Sequence, residues 1–351
     1  MAKGWYIGNE SNIARKVKRM YIGDGNDVAR KVKKVYIGDE NGKARLAYSS
    51  GLGKIIVGHY GKNFSQANSY GVLTPLSMPN TVTVAGIPFI VFGADRFVTV
   101  ITKESGSGSS TEKMGAYSFD GVTWYPSDIN LMNSSSDWWV KFLGYINGYY
   151  IILYSKGQMV FSTDGINWTW FALRSDTLWD CVEYANGYYY VSGRYASWTI
   201  KFPVLNTNPE RTYAYSGNIA GICANPTGTI MVGYLANNGI VKYDFATTKW
   251  NVVSTIVMSS GSTQGSVYAN GKFVMTNTNF TNHVYYSYDG VSWTSVDLPR
   301  QIFTLSFDGA NFIAGSTNGY YMYSSDAINW TLSPIVGMGA NTTAIYSIAG
   351  N

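Results

Sequence analysis

From residue 54 onward, apolar and polar positions alternate in short runs that end in Asn, Gly or Asp. The run Val140-Lys-Phe-Leu-Gly-Tyr-Ile146 stops at Asn147-Gly148, and the run Tyr149-Tyr-Ile-Ile-Leu-Tyr154 starts there. Alternation with a period of two is the pattern of a strand with one buried face. Asn-Gly between two such runs is the strongest short hairpin signal. The same punctuation returns at Ala94-Asp95, Asn186-Gly187, Asn270-Gly271 and Gly309-Ala310, with Thr227-Gly228 as a variant. The pattern predicts an all-β body built from hairpins.

A second signal sets the register of these hairpins. Ser118-Phe-Asp120-Gly-Val-Thr-Trp124 returns as Ser162-Thr-Asp164-Gly-Ile-Asn-Trp168, as Ser287-Tyr-Asp289-Gly-Val-Ser-Trp293 and as Ser324-Ser-Asp326-Ala-Ile-Asn-Trp330. A worn copy stands at Asp244-Phe-Ala-Thr-Thr-Lys-Trp250. The copies lie close to multiples of about 40 residues apart, so the body is an array of like units. Each unit reads as four strands, with the Asp-Gly-x-x-Trp stretch between the third and the fourth. Four strands at this period make a β-propeller blade. Six complete units fall at about 87–130, 138–174, 178–216, 219–259, 263–298 and 302–336. The last stretch, Ile345-Tyr-Ser-Ile-Ala-Gly-Asn351, reads as an inner strand cut off at its turn. Gly53-Lys-Ile-Ile-Val-Gly58 reads as the strand that follows it. The expectation is a seven-bladed β-propeller over residues 51–351, with a split blade that closes the ring and removes the open edges.

The first fifty residues carry a shorter repeat. Tyr6-Ile-Gly8, Tyr21-Ile-Gly23 and Tyr36-Ile-Gly38 start units 15 residues apart, each continuing to Ala14-Arg15, Ala29-Arg30 or Ala44-Arg45. Asn/Asp/Gly clusters between the two halves predict strand, turn, strand. A segment this short with few large apolar groups buries little core by itself. Residues 1–50 are therefore expected to be a small repeated β-hairpin arm, steadied by self-association or by a partner. Its candidate docking residues are Tyr6, Arg15, Tyr21, Arg30, Tyr36 and Arg45, with Ser49-Ser-Gly-Leu-Gly53 as a hinge.

Charge sharpens this division. Residues 1–50 hold 11 Lys/Arg against 5 Asp/Glu, a balance of +6, whereas residues 51–351 hold 15 against 16, a balance of −1. A body with no basic surplus is not a nucleic-acid binder. No apolar run approaches the ~18 residues of a membrane span, so no membrane insertion is expected. The first residues lack the apolar core of an ordinary signal peptide. Charged residues make up only 13% of the chain while Tyr and Trp number 29 and 11, a surface chemistry that suits carbohydrate contact. Two cysteines, Cys181 and Cys223, do not form a disulfide framework and read as small buried groups. Two histidines, His59 and His283, support neither a histidine-rich metal site nor a Ser-His-Asp set. No metal or other cofactor is expected.

The Tyr-Ile-Gly/Ala-Arg-Lys-Val units resemble repeats at the starts of virion proteins, especially tail-associated ones, from phages of Gram-positive bacteria. The resemblance covers about residues 3–48. It implies a structural virion protein of a tailed phage. With the charge split and the aromatic loops, the expectation is a protein on the tail or baseplate, docked on other virion proteins through residues 1–50 as a symmetric homo-oligomer and displaying the propeller for contact with host cell-surface glycan. A capsid or neck decoration protein is the alternative location. The body repeat resembles the Asp box of sialidases and related propellers (the bacterial neuraminidase repeat). That likeness implies structural roles for Asp120, Trp124, Asp164, Trp168, Asp289, Trp293, Asp326 and Trp330: the Asp capping a tight turn, the Trp plugging the space between sheets.

Sialidase chemistry is not legible here. The body has five arginines and lacks the Phe-Arg-Ile-Pro signature, the nearest string being Gly86-Ile-Pro-Phe89. A glycosidase needs two placed carboxylates, and Asp180 with Glu183 is a candidate pair, which keeps a glycosidase-like depolymerase as a second alternative. A non-enzymatic binder is the first reading. Its candidate ligand residues are Trp138, Trp139, Trp179 and Asp180 in loops that enter inner strands, with Tyr195, Trp198 and Tyr234 as further candidates. The competing reading of these aromatics is packing between blades.

Overall fold

The computed structural model describes strands 6–8, 14–16, 21–23, 29–31, 34–38 and 44–49. It then describes residues 54–59, 63–67, 74–76, 86–103, 114–129, 140–155, 157–173, 178–193, 195–196, 198–205, 212–215, 218–235, 239–256, 265–276, 282–317, 319–334 and 345–350. No helix occurs among the described residues. The chain divides into two compact units, Met1–Lys54 and Ile55–Asn351.

The larger unit is a seven-bladed propeller. Each blade is a four-stranded antiparallel sheet with its strands in sequence order, apart from the closing one. Blade 1 runs from Gly86–Gly93 to Tyr125–Pro126, blade 2 from Val140–Ile146 to Thr169–Ala172, and blade 3 from Cys181–Ala185 to Thr212–Tyr215. Blade 4 runs from Ile219–Ala224 to Lys249–Ser254, blade 5 from Ser266–Ala269 to Thr294–Asp297, and blade 6 from Ile302–Phe307 to Thr331–Pro334. Blade 7 joins the two ends of the unit: Ile345–Gly350 is its innermost strand and pairs with Ile55–His59, followed by Asn63–Ala67 and Thr74–Leu76. The pairing sets Ala349 opposite Ile56 and Gly350 opposite Ile55. The two fragments therefore complete one sheet, as their sequences lead one to expect. First strands of adjoining blades lie side by side all the way round, so the ring is closed.

The turns explain why the strands fold back where they do. Asn147-Gly148, Asn186-Gly187 and Asn270-Gly271 all have positive φ at both positions, between 45° and 87°. That is the mirror-type hairpin turn whose twist matches the strands it joins. Apolar faces then pack blade against blade. Ile151, Leu153, Met159 and Phe171 of blade 2 meet Val182, Tyr189 and Val191 of blade 3. Burying each such side chain contributes about 1.5–3 kcal/mol.

In the smaller unit, Tyr6–Gly8 pairs with Ala14–Lys16, Tyr21–Gly23 with Ala29–Lys31, and Lys34–Gly38 with Ala44–Ser49. Tyr6 stands opposite Lys16 and Tyr21 opposite Lys31. The 15-residue repeat thus gives hairpins of equal register. The third hairpin extends further and carries an irregularity at Val35/Tyr36.

Candidate functional site

The repeated Asp turns occupy their own carboxylates. Asp164 Oδ1 accepts the N–H groups of Ile166 (2.8 Å) and Asn167 (2.9 Å) and the Ser162 hydroxyl (2.8 Å), while Oδ2 accepts Asn167 Nδ2 (2.9 Å). Asp120, Asp289 and Asp326 repeat the arrangement. Asp244 keeps the bonds to Ala246 and Thr247 although its sequence is worn. Hydrogen bonds to the ionised form favour it. Burial alone would raise Asp164, but the turn's donors outweigh it and hold the carboxyl at about 2. Asp120 is lowered by the same balance. Backbone donors led by Val291 and Asn329 hold Asp289 and Asp326 well below the usual carboxylate range. A carboxylate held ionised by its own turn is a poor proton donor near neutral pH.

These turns fasten neighbouring blades. Gly165 has φ +69°, and a Cβ there would lie 2.5 Å from Val98 of blade 1, so the turn needs glycine for conformation and for space. Three of these Trp rings contact the preceding blade directly. Trp124 packs near Phe64 of blade 7, Trp168 Nε1 donates to Ser127 of blade 1 (2.9 Å), and Trp250 Nε1 donates to Thr199 of blade 3 (3.0 Å). Trp293 packs on the apolar cluster that blades 4 and 5 share, and Trp330 on the one that blades 5 and 6 share.

The candidate ligand residues separate. Trp179 is 0% exposed and fills the space between blades 2 and 3, against Phe171, Leu173 and Val182. The structure thus assigns its ring to the core, correcting the expectation of ligand contact. Asp180 is buried, and its N–H donates to Ser192 O (3.0 Å). Tyr234 is buried with its ring over Gly221. By contrast Tyr195 is 61% and Trp198 38% exposed. Gly193 packs on the backbone of Leu178 and Trp179, so the loop carrying Tyr195 shares an end of blade 3 with exposed Leu178. Trp138 and Trp139 lie outside the described residues, as do the side chains of Tyr6, Arg15, Tyr21, Arg30, Tyr36 and Arg45.

At the centre of the ring is a cavity of about 560 Å³, to which all seven innermost strands contribute. Five of these strands end in an aromatic ring packed on the second strand of the same blade. The pairs are Phe92–Phe97 (4.8 Å between centroids), Tyr145–Tyr150 (4.8 Å), Tyr184–Tyr189 (4.8 Å), Tyr268–Phe273 (4.6 Å) and Phe307–Phe312 (5.2 Å). Such spacings suit aromatic pairs. The signal in the sequence is an aromatic two residues before each turn, at Phe92, Tyr145, Tyr184, Tyr268 and Phe307.

Both candidate carboxylates, Asp180 and Glu183, line this cavity. Glu183 Oε1 accepts Tyr184 N–H (2.8 Å), and Oε2 accepts Ala224 N–H (3.1 Å) from the first strand of blade 4. The side chain is partly open to the cavity yet enclosed by protein, and this burial pushes its carboxyl up to about 7 against those two bonds. Cys181 and Cys223 are free, buried thiols on the same wall. Burial raises Cys181 to about 12 and Cys223 well above its ordinary value, so neither is a ready nucleophile. His59 is fully buried, lies 3.2 Å from the Ser65 hydroxyl, and is lowered to about 4 by that burial, hence neutral. His283 pairs with Asp297 at 2.6 Å on blade 5, away from His59 on blade 7.

No protein-family model and no curated protein matches the chain. Solved structures of like fold include apo AztD from Citrobacter koseri, with TM-score 0.56 and 7% identity over 86% of this chain and 98% of that one. A chain of the mitotic checkpoint complex gives 0.54 at 9% identity, over 78% and 82%. The structure titled YCF48 bound to D1 peptide gives 0.50 at 15% identity, over 77% and 88%. At such identities the likeness is one of fold, and function has to be argued from the site.

Proposed function

We propose that the chain is a structural protein of a tailed-phage particle, set on the tail or baseplate, whose propeller is displayed for contact with host-surface glycan. The observation that carries this reading is the split of charge and repeat. The unit of residues 1–54, which holds the 15-residue repeat, has a charge balance of +7, and the propeller unit of residues 55–351 has a balance of −2. Three hairpins of like register offer three like docking edges, which suits attachment to other virion proteins in a symmetric assembly. Many displayed copies turn weak sugar contacts into firm attachment.

Of the described candidate ligand residues, Tyr195 and Trp198 are the exposed rings, and they are taken as the ones that stack on a sugar. The test is binding of the purified chain to cell walls of the host and to a glycan array. The unaltered chain is expected to bind without releasing sugar, and a Tyr195→Ala/Trp198→Ala chain to bind at least about tenfold more weakly, the loss of roughly 1.4 kcal/mol. Equal binding by the double variant contradicts the site, and release of sugar contradicts the non-enzymatic reading in favour of a depolymerase.

A further inference from the structure

We propose that the central cavity is a binding site for a small organic ammonium ion, with Glu183 as its counter-charge. Charge is the first ground. The cavity's described lining residues include two acids, Asp180 and Glu183, and no Lys, Arg or His. A buried charge is costly unless it is paired. The Glu183 carboxylate meets two backbone N–H groups from two different blades and no cation among the described residues. Those bonds fix the carboxylate in place and leave each oxygen a further lone pair. A group held in this way is organised before its partner arrives, which lowers the cost of binding.

The second ground is the space itself. The size and lining of the space point to the class of guest. About 560 Å³ is far more than a bare ion fills and falls within the range of small-molecule sites. No cluster of three or more metal-ligating side chains exists among the described residues. Ile90, Leu143 and Ile348 offer apolar wall for a carbon body, and the rings of Tyr145, Tyr184 and Tyr268 offer faces and edges that suit an ammonium group. Burial favours the protonated form of Glu183, and an ammonium guest would favour the ionised one.

The inference holds whether or not the chain belongs to a virion. Its test is calorimetric titration of the full chain at pH 8 and 0.15 M salt with 1,4-diaminobutane, using 1,4-butanediol as the uncharged control of equal length. The expected result is saturable binding of the diamine, none of the diol, and at least a tenfold loss in Glu183→Gln. In the unaltered chain, the Glu183 carboxyl carbon resonance is expected to move with the diamine and stay in place with the diol. That second reading stands even if the variant folds poorly. Absence of saturable diamine binding, equal binding of the diol, undiminished binding in a folded Glu183→Gln chain, or an unmoved Glu183 resonance overturns the proposal.

Discussion

A chain ending at residue 344 is expected to lose its cooperative thermal transition. The strand Ile345–Gly350 is the innermost strand of the closing blade, and Ile345, Ile348 and Ala349 are all buried. It makes the ladder with Ile55–His59 and lies against the first strands of blades 1 and 6. Its removal exposes Ile55, Val57, Ile313 and Tyr321, which share one apolar cluster with Ile345 and Ile348. Two isoleucines at about 1.5–3 kcal/mol each, with the paired backbone groups of five registered positions, put the loss on the order of 5–10 kcal/mol. Whole domains are stable by about 5–15 kcal/mol, so this one strand accounts for much of the margin. Differential scanning calorimetry decides the matter. A truncated chain that melts as sharply as the intact one, within about 2 °C, shows that the ring does not depend on this closure.

Trp179→Ala has the next largest expected effect, a loss of about 3–5 kcal/mol and a melting point lower by roughly 5–15 °C. The ring is fully buried among Ile151, Leu153 and Phe171 of blade 2 and Val182, Tyr189 and Ile200 of blade 3. Its deletion removes transfer energy and leaves a cavity that two packed sheets close only in part. Trp198→Ala is the internal comparison. That ring belongs to the same blade but is 38% exposed, so its loss is expected to cost about 1 kcal/mol. Chemical denaturation of both variants reads the contrast. Equal losses would mean that burial between blades is not what holds Trp179.

These two residues show where sequence stops short of structure. Both are aromatics beside a strand, and period-two patterning does not say whether a ring in a connecting segment turns inward or outward. Trp179 turns into the space between blades because Gly193 lets its loop approach the next one closely, a contact between separate segments of the chain. The propeller itself was open to reading because its signals are local. Asn147-Gly148 and its relatives adopt the positive φ values that the residues permit, and the Asp-Gly-x-x-Trp copies fall at the same point of the blades that carry them. The split blade could be read because each half keeps the apolar pattern of a strand whose partner stands at the far end of the chain. Glu183 was recognisable as an inner-strand acid. Its bond to Ala224 on the next blade depends on how two sheets meet, which no local pattern encodes.

The proposed role as a docked, outward-facing virion protein is tested most directly by locating the chain on particles. Purified particles from cells carrying the gene are labelled with gold-tagged antibody against residues 55–351 and imaged. Gold clustered at the tail end in symmetric sets, and lost from particles whose copy of the protein lacks residues 1–50, is the predicted result. Particles without gold, with the protein recovered only from the soluble fraction, contradict the proposal.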